Sequence, residues 1–166
     1  MSVVDLNGIK SEIQSVLTIE NNTSGSPIDL SNGLSSRVQS VLKLNPAMHT
    51  IQGTLLPAIT IWTDNKTIEV KTIAKNQINQ KRLSEINFKI AGLVFNQNYM
   101  SFDEDPSDED CEVLMENIEE VLRGNSTLND KVLWHFPTDV TYHNFSTNEE
   151  THYRVGIMNL KCMVYY

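Results

Sequence analysis

Cysteine is nearly absent from this chain: two residues, Cys111 and Cys162, among 166. They have neither the paired spacing of a metal ligand set nor the density of a disulfide framework, and a reducing compartment is the simpler expectation. Glycine is also sparse, with seven residues and no cluster. That removes the Gly-rich loops that cradle phosphates. No apolar run approaches the length needed to span a bilayer, and "MSVVDLNGIK" lacks the basic start and apolar run of a signal peptide. No membrane partner is expected. Positive charge is in short supply too: 13 Lys and Arg against 21 Asp and Glu give a formal net charge of −8. A protein that grips nucleic acid through its phosphates is normally basic, so sustained DNA or RNA binding is not expected.

What is present suffices for a core. Hydrophobic residues make up 40% of the chain and charged residues 20%, the composition of one ordinary folded domain spanning 1–166. Helical spacing of Leu6, Ile9, Ile13, Val16 and Leu17 predicts a helix over 3–17. Leu34, Val38, Val41 and Leu42 predict a second over 33–44, stopped by Pro46. "PAITIW" (57–62) reads as a buried strand. "TIEVKTIA" (67–74) and "INFKIAGLVF" (86–95) read as the arms of a long hairpin with a polar tip, the second with Ile86, Phe88, Ile90 and Val94 on one face.

Residues 108–122 give the clearest helix, with Cys111, Leu114, Met115, Ile118, Val121 and Leu122 as its apolar stripe. Ser107 is its expected N-cap and Gly124 its stop. Residues 132–145 and 151–166 form a closing strand pair, in which Pro137 must occupy a bulge, an edge or a bend. The expected architecture is α+β: a mostly antiparallel or mixed sheet with a long hairpin and helices packed on one face.

The last strand, "THYRVGIMNLKCMVYY", has two unequal faces. Gly156, Met158, Leu160, Cys162, Val164 and Tyr166 are wholly apolar and belong on the core. The other parity, Tyr153, Val155, Ile157, Asn159, Lys161, Met163 and Tyr165, is more apolar than a wet face requires. Either the sheet covers part of its own back, or neighbouring subunits do. The oligomeric reading makes Val155, Ile157, Met163 and Tyr165 interface residues.

Charge is segregated along the chain. Ten acids and no Lys or Arg lie between Asp103 and Glu120. Four cations, Lys71, Lys75, Lys81 and Arg82, and no acid lie between 71 and 82. A solvated acidic helix start explains the first run. The functional reading is that the cationic hairpin tip meets the acidic surface of the next subunit, formed by Asp103, Glu104, Asp105, Asp108, Glu109 and Asp110. "DEDPSDED" lacks the Gly and distal Glu of an EF-hand loop, so no metal is assigned to it. No catalytic motif appears: no H-E-x-x-H, no G-x-S-x-G and no dinucleotide fingerprint. The nearest thing to a site is His143 and His152, close across a short connection with Glu149 and Glu150, a candidate metal cluster whose bland alternative is ordinary strand histidines.

The element order and the residues Pro57, Ile59, Ile61, Tyr153, Arg154 and Val155 resemble the tail terminator (tail completion or neck) proteins of tailed bacteriophages. Those proteins carry a "P-x-I-x-I" strand after a helical start and an aromatic–Arg–apolar run in the last strand. The resemblance covers nearly the whole chain as a pattern; the acidic stretch 99–108 has no place in it.

It implies a structural virion protein without enzymatic activity or cofactor, assembled in the host cytoplasm. Six copies would form a ring that caps the tail tube and joins it to the head-side connector, with the tail sheath as a further candidate partner. DNA would pass the lumen without specific binding, and an acidic lumen wall would be a second location for 103–110. A head–tail adaptor is the near alternative within that class. A stand-alone binding or metal-dependent enzyme domain using His143, His152 and nearby acids is the alternative outside it.

Overall fold

A computed structural model describes residues 4–19, 29–49, 51–69, 83–95, 106–147 and 151–165. The elements are α1 (Leu6–Ile19), β1 (Ser40–Leu42), β2 (Ala58–Glu69), β3 (Leu83–Phe95), α2 (Pro106–Gly124), β4 (Trp134–Thr147) and β5 (Thr151–Tyr165). The five strands form one sheet in the order β1-β2-β3-β5-β4. β1 runs parallel to β2 and every other neighbouring pair is antiparallel. The fold is α+β with a mixed sheet, as expected. The connection 70–82 between β2 and β3 lies outside the described residues, and with it the expected hairpin tip.

Local chemistry explains the ends of the helices. α1 starts where the Asp5 carboxylate accepts a hydrogen bond from the Gly8 amide at 2.8 Å, satisfying one of the free donors of the first turn. α2 starts at Pro106, one residue before the expected cap. Ser107 is therefore inside the first turn and not the N-cap, and proline at the opening position gives up an amide that has no helical partner in any case.

The expected helix over 33–44 does not form. Gly33 takes a left-handed φ of 79°. The Asp110 side chain of α2 accepts from the Ser35 amide at 3.2 Å and from its hydroxyl at 3.1 Å. These contacts hold the chain open until Ser40–Leu42 joins β2 as a parallel strand. Gln14 of α1 donates to the Val41 carbonyl at 2.7 Å from the other side. The apolar spacing was compatible with a helix, but sheet pairing and these side-chain bonds win. The strand expected at 57–62 and the described part, 67–69, of the strand expected at 67–74 are one continuous strand, β2, with a bulge between Thr63 and Asn65 that changes the register without ending it. Pro137 sits where it was expected, on an edge strand and at a register shift between Pro137 and Val140.

Both helices pack on one face of the sheet. Ile9, Ile13, Val16 and Leu17 from α1 and Cys111, Leu114, Met115, Ile118, Val121 and Leu122 from α2 are buried there. They meet Ile59, Ile61, Ile86, Phe88, Ile90, Met158, Leu160 and Cys162 from the strands. α2 comes closest where Gly92 and Gly156 stand directly opposite each other in β3 and β5. The pair leaves a hollow in the sheet, and Met115 fills it. A Cβ on Gly156 would lie 2.5 Å from Met115 Cγ and 3.1 Å from Tyr142 Cε1; one on Gly92 would lie 2.9 Å from Leu114 Cδ2 and Met115 Sδ. Gly156→Ala is therefore expected to cost about 1–3 kcal/mol by overpacking. Gly124→Ala, with nothing within 4 Å of its added methyl, should shift stability by about 1 kcal/mol at most. Urea unfolding midpoints of the two variants check the difference.

Candidate docking face

Among the described residues, the sheet's second face has no helix. Period-two alternation puts Tyr153, Val155, Ile157, Asn159, Lys161, Met163 and Tyr165 of β5 on it, and the structure divides it into three zones.

At the first end the chain covers itself. Residues 43–49 and 51–57 fold across the sheet and lay Ile51 and Leu56 over Ala58, Ala91, Leu93, Tyr153 and Val155. Tyr153 Oη donates to the Ile51 carbonyl at 3.2 Å, and Ser40 Oγ donates to the Leu55 carbonyl at 2.9 Å. Val155 is 2% exposed. It is packed by its own chain, which corrects its placement among the subunit-interface residues. Ile157 is half-buried and lines the edge of a small apolar cavity of about 80 Å³ with Pro46, Ile51, Trp62 and Leu93.

The middle zone is a polar belt of paired groups. Lys89 meets Asp64 at 3.1 Å and Lys161 meets Glu85 at 2.8 Å. Asn87 donates to Asn65 at 2.7 Å and Asn159 to Asp139 at 2.8 Å. Hydrogen bonds from Thr138 and then Asn159 hold the Asp139 carboxyl below its usual range. These partly exposed pairs contribute little to stability and keep this band wet.

The far end is uncovered among the described residues. Trp134 and Phe136 stack with centroids 5.2 Å apart and planes 18° from parallel. Trp134 is the register partner of Met163 and Phe136 that of Lys161, so the stack lies on the same face as Met163 and Tyr165. Trp134, Phe136, Tyr165 and the adjoining Leu133 are each about 40% exposed or more. Four large side chains left half in water at one corner form the kind of patch that marks a protein contact.

Between the two stacked rings, His135 points the opposite way, into the core, and is 7% exposed. Its Nε2 donates to the Asn125 carbonyl at 2.8 Å. Its Nδ1 is buried with no hydrogen-bond partner among the described residues. Burial lowers the proton affinity of the ring, outweighing the Asn125 carbonyl, which acts in the other direction. Asn125 opens the connection from α2 to β4, where Leu128, Asn129 and Asp130 all take left-handed φ values of 47°, 51° and 63°. Each such residue costs on the order of 1 kcal/mol. The turn is held by fully buried Leu128, by Asn129 donating to Glu12 of α1, and by the bond from His135. Nothing in the sequence spacing singled out His135; an apolar–His–apolar alternation ahead of Pro137 was the only available signal.

The other expected site residues are placed as follows. Lys71, Lys75, Lys81, Arg82, Asp103, Glu104 and Asp105 lie outside the described residues. Asp108 pairs with Arg154 Nε at 2.6 Å, and Arg154 also lies over the Tyr142 ring at 5.7 Å. Asp110 is engaged by Ser35, and Glu109 is exposed. Asp108 and Asp110 thus serve contacts within their own chain. His143 and His152 do not converge: His143 pairs with Val155 and His152 with Ser146, so alternation sends the two side chains to opposite faces of the sheet. That corrects their reading as a cluster, and among the described residues no three His, Cys, Asp or Glu side chains are placed to hold a metal. Both cysteines are free and buried, their thiols pushed up to about 12 by burial. No family model and no curated protein matches the chain.

The two ends of the back face should answer differently to the same change. Val155→Asp buries a charge beneath Ile51 and Leu56 and should cost several kcal/mol, on the order of 3–5. Tyr165→Asp replaces a side chain already 44% exposed and should change folding stability by about 1 kcal/mol or less. Thermal or urea unfolding of the two variants measures this directly.

Proposed function

We propose that this chain is a structural assembly protein, a subunit of the ring that closes the tail tube of a tailed bacteriophage and joins it to the head-side connector. The observation that carries the reading is the stacked, half-exposed Trp134–Phe136 pair with Tyr165 and Met163 on the face of the sheet opposite the two helices. Aromatic side chains of this kind are the usual anchors of protein interfaces. The resemblance in element order, with Pro57, Ile59 and Ile61 opening β2 and Tyr153, Arg154 and Val155 in β5, supports the same reading. In this role Tyr153 and Val155 seat the covering segment 43–57, and Arg154 ties β5 to the start of α2 through Asp108. Copies of the chain meet through the aromatic end, and the cationic stretch with Lys71, Lys75, Lys81 and Arg82 sets register against an acidic neighbour.

Replacing Trp134, Phe136 and Tyr165 together by Ser should leave a folded monomer and weaken self-association roughly a hundredfold or more, since each buried aromatic contributes about 1.5–3 kcal/mol. Native mass spectrometry of wild type and variant across protein concentration checks this. Lys81→Glu with Arg82→Glu should lower assembly yield and weaken its dependence on salt. Unchanged assembly of the triple variant would remove the aromatic end from the contact.

A further inference from the structure

Alternation along β4 turns a buried imidazole to the core from the position between the two residues whose rings stack on the other face, and the same imidazole bonds the strained connection that precedes the strand. We infer that His135 is a proton-operated latch on the aromatic surface: a proton arriving at Nδ1 releases the Asn125–Ser126 end of the connection and breaks up the Trp134–Phe136 stack. Its significance as regulation of assembly rests on the docking role proposed for that stack; the conformational step itself does not.

The geometry leaves a protonated His135 no comfortable place. Neutral, the ring needs one acceptor, and the Asn125 carbonyl 2.8 Å from Nε2 provides it. Charged, it carries a second N–H at Nδ1, which is buried and has no acceptor among the described residues. The titratable groups on the surrounding elements offer no compensation. On β5 the register partner of His135 is Cys162, a thiol held neutral by burial. At the end of α2, Glu119 is paired with Arg123. In the connection, Asp130 and Lys131 are exposed, and Glu12 of α1 is engaged by Asn129. Burial is the larger influence on the His135 ring, and the Asn125 carbonyl opposes it.

The direction with pH follows. Above about 6.5, the ordinary histidine value, the ring is neutral whether the latch is closed or open. Below it the open form takes a proton that the closed form resists, so the closed form is progressively lost as pH falls. Release is local for a mechanical reason. Two bonds to His135 tie the connection to β4: the ring to the Asn125 carbonyl, and the His135 amide to the Ser126 carbonyl at 3.2 Å. Buried Leu128 and Val132, the Asn129–Glu12 bond and the Leu133 amide donating to the Met163 carbonyl at 2.8 Å hold the rest, so the Asn125–Ser126 end is the part that comes free. Once the ring swings out, Trp134 and Phe136 on either side of it lose the backbone alignment that stacks them.

The test uses Trp62→Phe protein, in which Trp134 is the remaining tryptophan, at a concentration where it is monomeric. Trp134 emission is followed from pH 8 to pH 5. The expected result is a sigmoidal change below pH 6.5 that is absent in Trp62→Phe/His135→Gln, whose amide donates to Asn125 without titrating, and retained in Trp62→Phe/His143→Gln. A flat emission profile, or the same transition with His135→Gln, would overturn the latch. Should the Gln variant not fold, the imidazole carbon resonances of the folded parent decide. His135 is expected to stay neutral until the pH at which Trp134 emission changes; a His135 that titrates near 6.5 with no change at Trp134 overturns the inference. Because emission is read on the monomer, the latch can fail while neutral-pH assembly succeeds, and the reverse.

Discussion

A sheet built from apolar strands has two faces to keep from water, and among the described residues helices cover one of them. The close seating of α2 on the Gly92–Gly156 hollow makes the helical face a well-packed core. That seating leaves the opposite face to be covered by whatever chain remains. Residues 43–49 and 51–57 cover one end of it, stopping where Ile157 meets the cavity beside Trp62. Beyond that the face changes to a belt of paired polar groups, and then to bare aromatics. The functional account grows from this unequal covering.

The belt gives the arrangement its meaning. If the whole back face were apolar, it would read as a surface that simply failed to find a partner. Instead Asp64–Lys89, Glu85–Lys161 and Asp139–Asn159 keep the centre wet, and Leu133, Trp134, Phe136 and Tyr165 gather their exposed apolar surface at the corner where β4, β5 and the α2–β4 connection meet, whereas Met48, Leu55, Ile68 and Phe95 are exposed elsewhere. β4 is also the long edge of the sheet, with Pro137 and its bulge beside the aromatic pair. Proline and a bulge discourage indiscriminate strand pairing along that stretch. Contact there is left to side chains.

Much of this was legible in the sequence, and the failures have physical causes. Long periodic segments were plain: the stripe from Cys111 to Leu122, the buried parity of β3, and the core parity from Gly156 to Cys162. Leu34, Val38, Val41 and Leu42 misled because four apolar residues at helical spacing also suit a loop that ends in a three-residue strand. Pairing with β2 and the bonds from Asp110, 75 residues away, are tertiary facts that local spacing cannot carry. The two parities of β5 were correctly seen as unequal, but not that Tyr153 and Val155 would be covered from 43–57 while Met163 and Tyr165 would not. His143 and His152 looked close because sequence distance is short; strand alternation separates them by the thickness of the sheet. The exposed stack was hidden because "VLWHFP" reads like any buried strand.

A map of the assembled protein at side-chain resolution is the most direct measurement of the central claim, that the aromatic end of the back face is where copies of this chain meet. The account predicts Trp134, Phe136 and Tyr165 buried against a neighbouring chain, with Tyr153 and Val155 still beneath Ile51 and Leu56 of their own. An assembly in which Trp134, Phe136 and Tyr165 face solvent would contradict it.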